Sequence, residues 1–208
     1  TRNSTTIFNS WRAMYIKSQG DINRFIDIMI DESPRFEVHS IVVQLKTTSG
    51  KMPQFGDDQF KGQTENEMLA DLVGPIIKAV WLNKDSNDVI GILSKNEIDI
   101  IGDISKRLIF FVKKEYTDMD NWTDTELFQT VHPFLENTIT HCISYSDVPS
   151  MNAGVAPMFQ GQHLNYYDIN QSGIAPRLSR LKAHLYGTDY WMRVDGDRAT
   201  VRIEHQYG

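Results

Sequence analysis

The chain holds a single cysteine, Cys142, among its 208 residues. It can therefore form neither an internal disulfide nor a cysteine-rich zinc site, and so little cysteine suits a reducing compartment. Long apolar runs are also missing, and nothing approaches the roughly 18 residues that a membrane-spanning helix needs. The opening residues, TRNSTTIFNSW, lack the apolar stretch of a secretory signal. No G-x-S-x-G, G-x-x-x-x-G-K-S/T or G-x-G-x-x-G string occurs, which removes the commonest hydrolase, phosphate-loop and dinucleotide readings. The six histidines make no metal-ligand pattern. His132 and His141 fall on different sides of one predicted helix, while His39, His163, His184 and His205 are scattered, so surface or capping roles are expected. No metal or cofactor is implied. Internal repeats and low-complexity tracts are absent too.

What is present is an ordinary globular composition, 40% hydrophobic and 23% charged, in a chain long enough to bury one sizeable core. The net charge of −6 argues against a strongly basic nucleic-acid binder. Its distribution is uneven, however. Residues 151–208 carry six Lys/Arg against five Asp/Glu, and residues 174–202 carry six against three. Positive potential thus gathers late in the chain and allows an anionic partner there.

Periodicity organises the rest. Ile7, Phe8, Trp11, Met14 and Tyr15 have helical spacing, and Ile22, Phe25, Ile26 and Met29 continue it until Pro34. Residues 36–48, FEVHSIVVQLKTT, are β-branched and read as extended, and 49–63 read as a loop. Three capping boxes then precede three apolar stripes. Thr64 and Glu67 lead into Met68, Leu69, Leu72, Val73, Ile76, Ile77, Val80 and Trp81. Ser94 and Glu97 lead into Ile98, Ile101, Ile104, Leu108, Phe111 and Val112. Thr123 and Glu126 lead into Leu127, Val131, Phe134, Leu135, Thr138 and Cys142. A further helix is predicted from about Pro176 to Gly187, and the alternating runs around Asp195-Gly196 predict a terminal hairpin. The expected fold is mainly α (α+β): an N-terminal arm or small subdomain over 1–63, a helical core over 64–189 and a C-terminal hairpin or arm over 190–208.

Two constellations carry candidate chemistry. Gln44-x-Lys46 ends a strand-like run, with Asp31 upstream. Acidic and amide oxygens can hold Mg²⁺ while a lysine stabilises phosphate charge, as in restriction-type nucleases. The pattern is short and common by chance, and a solvated strand face is the more frequent reason for it. The second constellation places Tyr166, Tyr167, Tyr186, Tyr190 and Trp191 around Arg177, Arg180 and Lys182. Cations neutralise phosphates and aromatic faces stack bases without choosing among them, although the same rings can simply close a core.

A run of segments resembles the core of flexuous filamentous virus coat proteins, most nearly the potyvirus kind. These are LFQTVHPF (127–134), DVPSM (147–151), LNYYDI (164–169) and PRLSRLKAHLYGTD (176–189), preceded by NEIDIIGDISKRLIFFVKKE. The family's arginine after the turn methionine is replaced here by Asn-Ala-Gly, and its buried aspartate by Asn165. The resemblance implies a viral structural protein, not an enzyme, that polymerises helically along single-stranded RNA without reading sequence. It implies an RNA groove lined by Ser150, Asn152, Asn165, Arg177 and Arg180, with Arg177, Arg180 and Lys182 neutralising phosphates. Self-association into a large homo-oligomer, no membrane partner, and residence in the virion and host cytoplasm follow from the same likeness. A phage or virus connector or tail subunit and the Mg²⁺-dependent nuclease are the alternatives.

Overall fold

Ile22, Phe25, Ile26 and Met29 are fully buried and form the inner stripe of a helix, α1, over residues 19–32. The computed structural model describes residues 19–45, 65–98, 104–115, 124–136, 143–144, 166–186 and 202–207. Pro34 follows the end of α1, where it disfavours another helical turn in the residue before it. The β-branched run beyond forms strand β1, Arg35–Leu45, as its composition predicts.

Five further strands join β1 in one antiparallel sheet: β2 (Val89–Ile98), β3 (Ile104–Lys113), β4 (Ile143–Ser144), β5 (Tyr166–Asp168) and β6 (Arg202–Gln206). Their order is β4-β1-β3-β2-β6. β5 shares the outer edge of β1 with β4, pairing with Arg35–Glu37 while β4 pairs with Gln44 and Leu45. The long β1–β3 ladder runs from Phe36 opposite Lys113 to Gln44 opposite Ser105.

Helices cover both faces. α2 (Glu65–Leu82) and α4 (Glu126–Glu136) bury Met68, Leu69, Val73, Ile76, Leu127 and Val131 against Ile41, Val43, Leu108 and Phe110. On the other face α1 and α5 (Ile174–Tyr186) bury Phe25, Met29, Leu181 and Leu185 against Phe36, Val38, Ile109 and Phe111. Successive residues of β3 thus serve opposite layers, as the two-residue period of a strand requires.

The mainly α expectation is overturned: the protein is α+β, and its core is a sheet. β1 lies inside that sheet instead of extending as an arm, and β6 is a sheet strand paired with β2. The misreading centres on Ser94 to Val112. Ser94 caps no helix; its hydroxyl donates to Glu204 Oε1 at 2.5 Å. Ile98 and Ile104 belong to successive strands, β2 and β3. A strand buried on both faces loses the polar alternation that marks a half-exposed one, so Leu108–Phe111 reads as helix or strand with equal ease.

Two local devices join the layers. α3 (Lys84–Asn87) ends on Asp88, whose φ of 59° is left-handed. Beside it, the buried Asn87 donates Nδ2 to the Val80 carbonyl at 3.0 Å and accepts the Val89 N–H at 3.0 Å. One side chain thus satisfies an orphan carbonyl at the end of α2 and the first amide of β2. At a bulge in β2, a Cβ on Gly91 would sit 2.6 Å from Met29 Sδ and 2.7 Å from Phe25 Cζ. α1 can approach the sheet there only because the side chain is missing. On α4 the capping oxygen is Thr125 Oγ1, which accepts the Phe128 N–H at 3.2 Å; Thr123 lies outside the described residues. Among the described residues no helix is long and apolar enough to cross a membrane.

Substituting Asn87→Ala should lower unfolding free energy by about 2 kcal/mol, because two buried backbone groups lose their partner. Gly91→Val should cost about 1–3 kcal/mol through forced repacking of Met29 and Phe25. Chemical denaturation monitored by tryptophan fluorescence measures both.

Candidate nucleic-acid interface

Strand β5 and helix α5 hold the described part of the aromatic and basic cluster. Between them the chain turns tightly: Asp168 Oδ1 accepts the Asn170 N–H at 2.9 Å, and Gly173 takes a φ of +80°. That left-handed residue is where glycine is tolerated without strain. Pro176 then falls in the first turn of α5, where its missing N–H leaves no intrahelical bond unmade.

Ile174, Leu178, Leu181 and Leu185 point α5 at the sheet. Arg177 and Lys182 flank this stripe on opposite sides, and Arg180 lies one turn beyond Arg177 on the outer surface, by the 100° step of a helix. The three cations therefore do not form a single row. Arg177 is half-buried; its Nη1 donates to the Tyr166 carbonyl at 2.6 Å, and its guanidinium lies 4.5 Å from the centre of the Tyr167 ring. Tyr167 is 2% exposed and stacks on Phe36 at 5.4 Å and 12°. Burial pushes its hydroxyl up to about 12, against the opposing pull of Arg177 and Arg180. Arg180 itself is exposed. Arg177 is thus chiefly a clamp between α5 and β5, while Arg180 is the cation presented to solvent.

Arg35 braces the same corner. Its Nη1 donates to the Glu115 carbonyl at 2.6 Å, and its Nε lies 3.7 Å from Asp168 Oδ2. Lys182 is half-buried on the far flank. Ser150, Asn152 and Asn165 lie outside the described residues.

The nuclease residues are not brought together. Asp31 is exposed at the end of α1, beside the start of β1, and Gln44 sits near the opposite end of that strand. Nine residues of extended chain separate Arg35 from Gln44, roughly 30 Å at the usual rise. Lys46 lies outside the described residues.

Sequence reasoning missed several buried polar groups. His39 was expected at the surface but is buried, with Nε2 2.8 Å from Glu37 Oε2. Arg107, 1% exposed, donates Nη1 to Ser40 Oγ at 3.0 Å. The available signal was the two-residue spacing of Glu37 and His39, which places both on one face of a strand. His205 stacks on Trp81 at 4.9 Å and 8°, and His132 on Phe128 at 4.8 Å. Among the described residues no three His, Cys, Asp or Glu side chains gather as metal ligands.

No protein-family model, curated protein or solved structure matches this chain.

The Tyr167 hydroxyl makes a pH-dependent contribution of definite sign. Its raised folded value favours the neutral form, so the stabilisation is complete below pH 10 and is lost as pH rises toward 12. Tyr167→Phe should therefore unfold with a shallower pH dependence between 10 and 12 than the parent chain, which urea titrations across that window measure. Arg177→Ala should raise hydrogen exchange along α5, whereas Arg180→Ala should leave it unchanged.

Proposed function

We propose that the protein is a non-enzymatic assembly subunit that coats single-stranded RNA, with the outer surface of α5 facing the backbone. The carrying observation is the exposed Arg180, placed next to Arg177 and Tyr167 on a helix already anchored to the sheet. A cation on a fixed helix neutralises a phosphate without reading bases. Arg177 adds charge from behind, and Lys182 extends the surface on the other flank.

The sheet edge supports self-association. β5 pairs with β1 at Arg35–Glu37 and β4 pairs with it at Gln44 and Leu45, so among the described residues two short strands share this side of β1. A sheet edge formed by strands of two and three residues can accept an extended segment of a neighbouring subunit by strand addition. If the contact joins unlike surfaces, it propagates without closing and gives a filament.

The coat-protein likeness supports this reading only over α4, β5 and α5, because the upstream segment it compares with a helix holds the end of β2 and the whole of β3. As a coat subunit, the protein would reside in the virion and, before assembly, in the host cytoplasm.

Binding of a fluorescent poly(U) oligonucleotide at several salt concentrations tests the proposal. The parent chain should bind with affinity that falls steeply as salt rises. Arg180→Glu should weaken binding about tenfold or more and flatten the salt slope. A protein that stays monomeric and shows no affinity at low salt would overturn the reading.

A further inference from the structure

One charged side chain of the sheet has no use in the scheme above. Lys106 lies on β3 directly opposite Val43 of β1, whose side chain belongs to the α2/α4 layer, so Lys106 faces that layer too. It is 8% exposed. Among the described residues no hydrogen bond or ion pair reaches its ammonium, and burial lowers its proton affinity, with Arg202 acting in the same direction and Glu204 opposing. A buried cation without an acceptor is a costly arrangement that a bound anion relieves.

The surroundings show what such an anion would meet. Ser94 is paired with Leu108 on one side and Arg202 on the other, which puts Ser94 and Arg202 on the Lys106 face. Glu204 acts on Lys106 with the opposite charge, and its Oε1 accepts the Ser94 hydroxyl at 2.5 Å. That bond uses one lone pair of the carboxylate, whose charge only partly offsets the burial of the lysine. Arg202 is exposed, so the row opens to solvent along β6.

We infer that Lys106 and Arg202 form a site for a phosphate group on the α2/α4 face of the sheet. The buried ammonium supplies a point charge on the inner side, and the exposed guanidinium supplies a forked donor on the outer side. The phosphate belongs either to a small molecule or to a nucleic-acid backbone; both present the same oxygens. The site lies on the face opposite α5 and does not depend on RNA binding there.

Thermal unfolding with inorganic phosphate, and separately with a poly(U) oligonucleotide, tests this at constant ionic strength set by sodium chloride. At least one of the two should raise the Tm of the parent chain saturably by about 4 °C. The rise with inorganic phosphate in the parent chain, and with the oligonucleotide in an Arg180→Glu background that removes binding at α5, should vanish on adding Lys106→Met and shrink by at least half on adding Arg202→Gln. A response to both ligands assigns the site to free phosphate groups, and one to the oligonucleotide alone assigns it to a backbone. Should Lys106→Met not fold, Arg202→Gln decides, since it alters an exposed side chain. No saturable rise with either ligand, or a rise undiminished in the variants, would overturn the assignment.

Discussion

The double burial of β3 is the constraint on which the rest of the structure depends. Leu108 and Phe110 enter one layer, while Ile109 and Phe111 enter the other, and all four are fully buried. Each such side chain stabilises the fold by about 1.5–3 kcal/mol, but only if helices close both faces. That requirement places α2 and α4 on one side and α1 and α5 on the other. It also accounts for the apolar inner stripes of α1, α2 and α5, and for a glycine at the point where α1 presses against β2. Antiparallel sheets more often leave one face to water. Here each helix pair has its own hydrophobic floor.

The same double cover explains where charge is tolerated. Arg107, Glu37 and His39 sit on strands under helices, and each has a polar partner: Ser40 for the arginine, and one another for the acid and the imidazole. Arg177 follows the same rule at the edge of the sheet, spending one guanidinium donor on the Tyr166 carbonyl and its plane on Tyr167. Basic residues close in sequence therefore differ in kind. Arg177 holds two elements together, and Arg180, three positions on, meets solvent. Proximity along the chain does not decide between these roles; helical phase does.

Much of this was legible in the residues. The stripes of α1, α2 and α5 appear as spacing, β1 appears as β-branched composition, and Pro34 marks the first boundary. β2 and β3 were not legible, because a strand apolar on both faces carries no alternation, and Ser94 and Glu97 happened to stand three apart before an apolar run. The pairing of distant strands was also invisible: nothing local to Arg202–Gln206 announces that it docks on β2. For the candidate interface, the identity of the cations and rings was readable, but the side on which each would fall was not. The phosphate-binding pair on β3 and β6 was out of reach altogether, since it exists only once those strands share a sheet.

β6 has a consequence for the order in which the sheet can be completed. It pairs with β2, and the Ser94–Glu204 bond spans 110 positions of chain. During synthesis α1 to α4 and the β2–β3 ladder emerge well before the strand that covers β2, so the outer edge of β2 must wait for β6. Closing so long a loop slows folding more than it weakens the finished structure. In that interval a second chain can donate its own β6 to the waiting edge. Local concentration on the polysome, and not only the sequence of each chain, then influences whether the first strand to arrive comes from the same molecule.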